Sequence, residues 1–298
     1  MSLLTPFDPW KNPLCTCPKK FSLSPYTGCG HGCLYCYASS YIRHFAAARP
    51  KKDFLARLKK EIVKIPSGSI IAMANSSDPY QPLEGKEGLT RKTLEILKNY
   101  DLKINIVTKS SLVLRDTDIL KGVKKILISI SFTTLDEKLA KKLEPGASSP
   151  AERIEAVKKL SLSMPVAARL DPLIYPLTTP RIKETIKKIK QAGAKQIITS
   201  TYKAKPDNLK RMLKFFPDYQ TVWKKFYLEK GERKNGYIYL PPKIRKELIE
   251  KARNWALSQN LEFSSCREGL ESLNTAACDG SSLFSIPISL KRGVFILP

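Results

Sequence analysis

Residues 24–37 of this chain read Ser24-Pro25-Tyr26-Thr27-Gly28-Cys29-Gly30-His31-Gly32-Cys33-Leu34-Tyr35-Cys36-Tyr37. Three cysteines, Cys29, Cys33 and Cys36, follow the spacing C-x3-C-x2-C. Thiolates are soft ligands, and three of them on one short loop can converge on one side of an iron–sulfur cluster. The surrounding glycines provide the backbone freedom that such a loop needs, including positive φ. Three thiolates leave one iron of a four-iron cluster without a protein ligand, so that iron can bind a small molecule.

Two other interpretations of the three cysteines are a structural zinc site and a disulfide pair with one spare thiol. Structural zinc takes four ligands, commonly in C-x2-C pairs, and three cysteines fall short of that number. A disulfide requires an oxidising compartment, and residues 1–13 show no secretory signal. The spacing therefore favours an iron–sulfur cluster, and we expect a cytoplasmic protein.

The fuller string is Pro25-Tyr26-x-Gly28-Cys29-x-His31-x-Cys33-x-Tyr35-Cys36-Tyr37-Ala38. It resembles the radical S-adenosylmethionine (SAM) superfamily, and within it the branch of spore photoproduct lyase and DNA repair photolyase-like proteins. The resemblance implies a [4Fe–4S] cluster whose open iron chelates SAM. It also implies reductive cleavage of SAM to a 5′-deoxyadenosyl radical, with a one-electron reductant of the ferredoxin or flavodoxin type.

Composition limits the class of protein and indicates a partner. With 298 residues, 42% of them hydrophobic, the chain can bury a full core, and no apolar run is long enough to span a bilayer. Lysine and arginine number 52 against 27 aspartate and glutamate, a formal charge of +25. Such a charge steers polyanions towards a protein, so we expect contact with nucleic acid, either DNA or RNA. The alternative is a lysine-rich proteome in which every surface is basic.

Apolar runs predict six strands, each separated from the next by helical periodicity. The predicted strands are 21–24, 69–74, 102–108, 125–131, 164–170 and 194–199. The predicted helices are 38–47, 53–65, 90–99 with Thr90 as N-cap, 116–121, one from 136, 151–160, 180–192 and 207–215. This alternation indicates a parallel α/β sheet with right-handed crossovers. Six units predict an open, partial (β/α)6 barrel of the radical SAM type.

Three segments are expected along the chain. They are an N-terminal segment 1–20 with Cys15 and Cys17, the partial barrel 21–217, and a C-terminal extension 218–298 that packs on the barrel. The alternation of strands and helices is expected to end near residue 217. Within the extension, a hairpin is predicted near Tyr237 and Tyr239 and an amphipathic helix over 242–257.

Polar side chains follow the predicted strands at their carboxyl ends, where barrels of this kind bind ligands. The candidates for binding SAM are Ser77, Asp78, Lys109, Ser131 and Arg169. SAM carries an amino group, a carboxylate, a ribose diol and an adenine, which require hydroxyls, a cation and a carboxylate. In spore photoproduct lyase, a serine after the second strand, a lysine after the third and a serine ending the fourth contact SAM. The resemblance assigns these roles to Ser77, Lys109 and Ser131, whereas Asp78 and Arg169 are candidates by position alone.

Two tyrosines and a histidine of residues 24–37 are further candidates. Tyr35 can lie against the SAM adenine, and the Tyr37 phenol either relays a hydrogen atom or is a packed aromatic. His31 can donate a hydrogen bond to a cluster sulfur. The resemblance departs at Ser76, where spore photoproduct lyase has the cysteine that returns a hydrogen atom to the repaired thymine. A hydroxyl hydrogen is far harder to abstract, so the resemblance does not imply the lesion-splitting step.

The chain has four other cysteines, which we call the outer cysteines: Cys15, Cys17, Cys266 and Cys278. Two lie near each end of the chain, and they can meet if both ends share one side of the barrel. Four thiolates suit structural zinc or a second iron–sulfur cluster. The alternative is four unrelated thiols, since cysteine is often buried without a role.

Three functions are consistent with these residues. The first is radical SAM chemistry on nucleic acid, either lesion repair or base modification. The second is radical modification of a peptide, protein or small molecule, with an auxiliary metal at the outer cysteines. The third is a non-enzymatic, zinc-stabilised nucleic-acid-binding protein.

Overall fold

The structure, a computed structural model, describes residues 2–7, 12–73 and 76–285. Its strands are β1 Thr5–Pro6, β2 Phe21–Leu23, β3 Tyr26–Thr27, β4 Arg49–Pro50, β5 Ile70–Met73, β6 Lys103–Thr108, β7 Lys125–Phe132, β8 Val166–Leu173, β9 Gln196–Thr201, β10 Glu232–Lys234, β11 Tyr237–Tyr239 and β12 Glu262–Ser265. Its α-helices are α1 Phe54–Ile62, α2 Glu84–Glu87, α3 Leu89–Leu97, α4 Thr117–Lys121, α5 Glu137–Leu143, α6 Pro150–Ser161, α7 Ile182–Gln191, α8 Pro206–Phe215, α9 Gln220–Trp223 and α10 Pro242–Ser258.

Eight strands form the main sheet, in the order β1-β2-β5-β6-β7-β8-β9-β12. All neighbours from β2 to β12 are parallel, and β1 pairs antiparallel with β2 at the edge. Helices lie between successive strands, as a parallel sheet requires. The six predicted parallel strands are all present, which confirms the α/β fold expected for a radical SAM partial barrel.

The strands have two chemically different faces because side chains alternate along extended backbone. In β7, Ile126, Ile128 and Ile130 belong to the main apolar core with helix residues such as Val157 of α6. Leu127 points to the opposite face and belongs to a separate small cluster. We call this second face the inner face. Ligands of barrels approach the inner face from the carboxyl edge of the strands.

The predicted helix over 38–47 is wrong. Only a short 3₁₀ turn forms, at Ala38–Ser40, and His44 has φ +52°. The Phe45 carbonyl accepts a hydrogen bond of 2.9 Å from the amide of Cys29, which lies outside residues 38–47. That carbonyl is therefore used by a tertiary contact rather than by the i→i−4 bond of a helix.

The prediction that Thr90 is the N-cap of α3 is wrong, because Thr90 lies in the first turn of that helix. Gly88, with φ +59°, is the residue that precedes the helix. The Thr90 hydroxyl donates to the Pro79 carbonyl at 2.6 Å, and its amide donates to the Glu84 carboxylate at 2.8 Å. The amides in the first turn of a helix have no partner within the helix. Here the buried Glu84 carboxylate accepts from one of them, a role that the hydroxyl of a serine or threonine N-cap commonly has.

The alternation of strands and helices does not end near residue 217. The hairpin β10–β11 and helix α10 are present as predicted. In addition, β12 pairs in parallel with β9 and adds a seventh parallel strand, with Ser264 opposite Ile198. This strand escaped prediction because three of its four residues are polar. The segment after residue 217 therefore extends the sheet as well as packing on it.

The chain after β12 turns back across the inner face of the sheet. Leu283 packs against Leu127, Ala167 and Ile198, which are inner-face residues of three adjacent strands. Gly280 comes so close that a Cβ at this position would lie 2.9 Å from the Leu127 side chain. Residues 277–285 thus fill part of the barrel interior.

The longest helix, α10, has 17 residues and one buried side that includes Leu248, Ile249 and Ala252. In the described part of the chain, no helix combines the length and the apolarity needed to cross a bilayer.

Candidate active site

The three motif cysteines lie on a loop that we call the motif loop, residues 28–37. It follows the short strand β3 and begins with Gly28 at φ +79°. A Cβ on Gly28 would lie 2.4 Å from the Phe45 carbonyl oxygen, the same carbonyl that accepts from the Cys29 amide. The first turn of the loop therefore requires glycine, both for the positive φ and for this close approach.

A second loop, after α5, packs directly on the motif loop. The Gly146 amide donates to the His31 carbonyl at 2.9 Å, and a Cβ on Gly146 would lie 2.3 Å from the Gly30 carbonyl oxygen. The Leu34 amide donates to the Leu143 carbonyl, also at 2.9 Å. The backbone of the motif loop is thus held on both sides by other backbone segments.

His31 joins the motif loop to the end of the second predicted strand. Its Nδ1 lies 2.9 Å from the Gly146 carbonyl oxygen, and its Nε2 lies 3.1 Å from the Asp78 carboxylate. Both ring nitrogens therefore face oxygen acceptors of the protein. Nε2 nevertheless has no hydrogen-bond partner among the described residues, so the hydrogen bond from His31 to a cluster sulfur stays a prediction. Through Nδ1, His31 contacts the backbone of the loop after α5.

Asp78 is held by four groups of the protein. It lies beside His31 and accepts hydrogen bonds from the Thr108 hydroxyl at 2.6 Å, the Lys109 amide at 2.7 Å and the Tyr80 amide at 2.8 Å. Burial alone would raise the pKa of Asp78, but His31 and these donors hold it below its usual value. In the structure Asp78 orients the motif loop and the start of the Lys109 loop.

Helix α8 holds the carbonyls of the motif loop, a contact that the sequence did not indicate. The Arg211 guanidinium donates to the Leu34 carbonyl at 3.1 Å and to the Cys36 carbonyl at 2.9 Å. Asn208 donates to the Tyr35 carbonyl at 3.0 Å. Exposed carbonyls around the cysteines are thus satisfied by one helix, and nothing in the pattern of α8 distinguishes these residues from surface ones.

Glu144 is the centre of a buried ionic network that sequence analysis missed. Its side chain is 1% exposed, and it pairs with Arg153 at 2.5 Å and with Lys109 at 3.5 Å. The hydroxyls of Thr133 and Tyr35 donate to it as well. Burial alone would raise its pKa, but Lys109, Arg153 and the two hydroxyls lower the pKa of Glu144 to about 2.

This network brings together several of the predicted SAM-binding residues. The Lys109 ammonium lies 5.6 Å from the centre of the Tyr35 ring. Arg153 also donates to the Ser131 carbonyl at 2.9 Å. Tyr35 and Lys109 therefore share Glu144 directly, and Ser131 is joined to it through Arg153.

Ser77 lies at the other side of the rim. It is buried, and its hydroxyl lies 2.6 Å from the Ser24 hydroxyl and 3.2 Å from the Tyr26 carbonyl. It precedes Asp78, which bonds the Lys109 loop, so Ser77 belongs to the same end of the sheet. Its SAM-binding role stays a prediction, as do those of Tyr35, Asp78, Lys109, Ser131 and Arg169.

Arg169 lies one strand further along, opposite Ser131 in the register of β7 and β8. Its guanidinium donates to the Asp171 carboxylate at 2.9 Å, and the Ser200 hydroxyl donates to the same carboxylate at 2.6 Å. Burial alone would lower the pKa of Arg169, but Asp171 and the nearby Cys266 raise it. Arg169 thus lies between the carboxyl edge of the sheet and the outer cysteines.

Tyr37 belongs to a group of rings and cations beside the third motif cysteine. We call it the tyrosine–arginine cluster, and its members are Tyr37, Tyr41, Tyr237, Lys205 and Arg267. The Tyr37 and Tyr237 rings meet edge to face with centroids 5.4 Å apart, and Arg267 donates to the Tyr37 hydroxyl at 3.0 Å. Lys205 lies 4.6 Å above the Tyr237 ring, and Tyr41 is 54% exposed.

The motif thiols fit a cluster by their number, their softness and their common loop. Burial raises the pKa of Cys29 to about 12 and raises the pKa of Cys33 and Cys36 as well. Metal binding must therefore release thiol protons. Within the described residues, no three histidine, cysteine, aspartate or glutamate side chains are already arranged around a metal position, and this includes the three motif cysteines.

The outer cysteines also meet in the structure. The sulfurs of Cys17 and Cys278 are 3.3 Å apart, and the Cys15 thiol donates a hydrogen bond to Cys17. Cys266 interacts electrostatically with Cys15 and Cys278. The pKa of Cys17 is lowered because both neighbouring thiols donate to it and the Lys20 ammonium lies beside it. The two ends of the chain thus bring the outer cysteines into one group.

A protein-family model described as the radical SAM superfamily matches residues 23–174, just over half of the chain. An uncharacterised protein of Methanocaldococcus jannaschii is 32% identical over 163 residues, which are 52% of this chain and 59% of that protein. The chain thus spans about three fifths of that relative's length.

Two kinds of solved structure share the fold. One is a spore photoproduct lyase variant with bound AdoMet and dinucleoside spore photoproduct, at a TM-score of 0.65 and 18% identity over 87% of this chain and 79% of that one. The other is SuiB of Streptococcus suis bound to S-adenosylmethionine, at a TM-score of 0.53 and 16% identity over 82% of this chain and 50% of that one. At these identities the likeness shows the fold alone.

Proposed function

The chain belongs to the radical SAM superfamily, and from that premise we propose that it is an enzyme that starts radical chemistry on a nucleic acid. The resident cofactors are the [4Fe–4S] cluster and SAM that the family implies. The cluster, when bound, supplies the electron that opens the SAM sulfonium bond. The reaction is either repair of a DNA lesion or modification of a DNA or RNA base.

The observation that carries the nucleic-acid proposal is the tyrosine–arginine cluster. Arg267 lies 5.5 Å from the Tyr37 ring and 5.7 Å from the Tyr237 ring, so one cation is shared by two aromatic faces. Nucleic-acid bases stack on tyrosine rings, and phosphates pair with arginine and lysine. Because Tyr37 is the residue after Cys36, this surface begins beside the cluster ligands.

The charge of the chain supports the same partner. The formal net charge is +25, and the hairpin next to the tyrosine–arginine cluster carries the exposed Arg233. A polyanion would reduce the self-repulsion of such a surface and would be steered towards it.

The chain's own residues have separate roles in this proposal. Ser77, Lys109 and Ser131 hold the polar groups of SAM, and Tyr35 lies against its adenine. Tyr35 and Lys109 contact Glu144, and Ser131 is joined to Glu144 through Arg153. Ser77 lies at the same edge of the sheet. Asp78 and Arg169 stay candidates by position alone, and in the structure Asp78 lies 3.1 Å from His31 and Arg169 lies 2.9 Å from Asp171.

Tyr37 is the proposed hydrogen-atom relay. Its hydroxyl accepts a hydrogen bond from Arg267, which leaves the phenolic hydrogen directed elsewhere. Ser76 takes the place of the cysteine used for this purpose in spore photoproduct lyase. A phenol is a more competent hydrogen-atom donor than an aliphatic hydroxyl, so the chain requires a donor other than Ser76.

A binding experiment tests the proposed partner. We expect fluorescently labelled DNA and RNA oligonucleotides to bind with an affinity that falls steeply as salt is raised. Tyr41→Ala removes one exposed stacking face and should weaken binding about tenfold. Phe215→Ala, at another exposed aromatic (44%), is the matched control and should leave affinity unchanged. Absence of binding at low salt would exclude nucleic acid as the partner.

A turnover experiment tests the reaction. After anaerobic reconstitution with SAM and dithionite, 5′-deoxyadenosine should form faster with the correct nucleic acid than without it. Tyr37→Phe should retain the cluster and SAM binding and lose modified product. If neither DNA nor RNA changes the rate while a peptide library does, the substrate belongs to another class.

One specific observation favours a second candidate, radical modification of a peptide, protein or small molecule with an auxiliary metal. It is the meeting of the outer cysteines, which are the candidate ligands of that metal. Membership of the superfamily leaves the non-enzymatic zinc-protein hypothesis without support. A cytoplasmic location and a ferredoxin- or flavodoxin-type reductant are further parts of the proposal.

A further inference from the structure

The outer cysteines come in two pairs, one near each end of the chain, and the two pairs meet beside the inner face of the sheet. Cys17 and Cys278 are 261 residues apart, yet their sulfurs are 3.3 Å from each other. Cys15 hydrogen-bonds Cys17, and all four thiols are free rather than joined in disulfides. A contact between chain ends that depends on thiols requires an explanation beyond ordinary packing.

The tail that carries Cys278 is held in place by the interior of the sheet. Lys20, before β2, pairs with the neighbouring Asp279 at 2.6 Å, and both side chains are almost fully buried. Asn105 of β6 donates to the Asp279 carbonyl and Gln196 of β9 donates to the Ala277 carbonyl, each at 2.9 Å. Two strands and the residue before a third therefore fix the position of Cys278, which is itself 3% exposed.

Cys266 is placed by the seventh parallel strand. Its amide donates to the Thr199 carbonyl at 2.8 Å, so it directly continues the ladder between β12 and β9. The Arg169 guanidinium lies near its sulfur. Lys20 lies beside Cys17, so two largely buried cations lie near the group of thiols.

We propose that Cys15, Cys17, Cys266 and Cys278 bind a second metal centre through four thiolates, either an iron–sulfur cluster or zinc. Four cysteine ligands complete the coordination of both kinds of centre. Either centre with four thiolates carries a net negative charge, and two cations lie near it, Lys20 and Arg169, each of which also pairs with a carboxylate. The thiols are not yet arranged around a metal position, but neither are those of the motif loop in the same structure.

The alternative is four buried thiols that pack without a ligand. It leaves unexplained why the tail carries a thiol into the interior through polar contacts with β6, β9 and the residue before β2. It also leaves unexplained why thiols from both ends of the chain gather there. The metal centre accounts for both observations.

The location of the centre relates it to the active site. Arg169 contacts Cys266 and lies opposite Ser131, a proposed SAM contact, in adjacent strands. An iron–sulfur cluster at this position would lie next to the radical site, where it can pass electrons. Zinc there would instead fix the tail inside the barrel.

Metal analysis of the full-length, anaerobically purified protein tests the proposal. We expect either iron and sulfide clearly above the roughly four irons of one cluster, or about four irons together with about one zinc per chain. Four irons and no zinc would overturn the proposal. The result does not depend on SAM cleavage or on nucleic acid, so it is distinguishable from failure of the proposed function.

A set of variants assigns the metal to its ligands. Replacing Cys29, Cys33 and Cys36 together by alanine should remove one cluster and retain the second centre. In that background, Cys17→Ser with Cys278→Ser should remove the remaining metal, whereas Lys19→Ala, an exposed neighbour, should not. Metal that survives loss of the Cys17 and Cys278 thiols would contradict the assignment.

Spectra provide a second measure if a variant folds poorly. An iron–sulfur centre in the alanine background gives an electron paramagnetic resonance signal on reduction. A zinc centre exchanged for cobalt gives thiolate-to-metal absorption bands. If wild-type protein shows the signal of one cluster alone and takes up no cobalt, the four cysteines hold no metal.

Discussion

The motif loop and the outer cysteines place thiols in the same protein by opposite means. The three thiols of the motif loop lie within eight consecutive residues, and backbone contacts from Phe45, Leu143 and Gly146 hold them. The outer thiols come from both ends of the chain, and side-chain contacts from buried Lys20, Asn105 and Gln196 hold the tail that carries Cys278. The spacing within one loop predicts the first group directly, whereas the meeting of the outer cysteines could be expected only on the condition that both chain ends share one side of the barrel.

The largest expected effect distinguishes the two groups by function. Cys36→Ala should reduce 5′-deoxyadenosine formation to background, because it removes a ligand of the cluster that reduces SAM. Cys17→Ser should retain measurable SAM cleavage, because the motif loop is held by other contacts. The measurement is product formation by chromatography alongside iron content. Equal loss in both variants would show that the two groups act as one site.

The next effect concerns the ionic network beneath the motif loop. Glu144→Gln leaves the buried Arg153 and the partly buried Lys109 without their carboxylate, which should lower the free energy of unfolding by about 3–5 kcal/mol. Urea unfolding followed by circular dichroism measures it. Glu95→Gln, at a half-exposed carboxylate on α3, is the control and should change stability by less than about 0.5 kcal/mol. A small effect at Glu144 would mean that the network does not support the loop.

The same carboxylate should make stability depend on pH. The pKa of Glu144 is lowered from 4.5 to about 2, so its contribution is complete above about pH 5. That contribution, about 3 kcal/mol, is lost as pH falls from 4.5 towards 2. The stability difference between wild type and Glu144→Gln should therefore shrink over this range. A difference that stays constant down to pH 3 would contradict the lowered pKa.

The smallest effect tests the backbone contact on the motif loop. Gly146→Ala places a Cβ 2.3 Å from the Gly30 carbonyl, so the loops must separate, at a cost of about 1–3 kcal/mol. Gly85→Ala is the matched control, because nothing lies within 4 Å of its Cβ and it occupies a helix. It should be neutral or stabilising by up to about 1 kcal/mol. Thermal unfolding and iron retention compare the two variants. Equal melting temperatures would indicate that the loops do not depend on this approach.

Much of the fold was predictable because strand and helix periods reflect burial within one element. Six parallel strands followed from apolar runs, and their carboxyl ends identified where polar side chains would gather. The short strand β12 was missed because its polar residues are buried by neighbours from elsewhere in the chain. The helix expected over 38–47 was wrong because Phe45 bonds the motif loop.

The site was predictable only where its residues carry a local pattern. Cys29, Cys33 and Cys36 are defined by spacing, whereas Glu144 looks like part of an ordinary Pro-Gly turn. Arg153 occupies a helix whose sequence does not show that this guanidinium is 1% exposed. Their importance arises from tertiary contacts, which no periodicity encodes.

The insertion of residues 277–285 across the inner face has a consequence for the shape of any substrate. Because Leu283 already covers Leu127, Ala167 and Ile198, this part of the inner face is closed to a substrate. A large molecule reaches the strand ends by presenting a single projecting group, as a nucleotide swung out of its stack does. Under the proposed function, the base to be modified would therefore enter at the carboxyl ends of the strands while its nucleic-acid backbone stays outside the barrel.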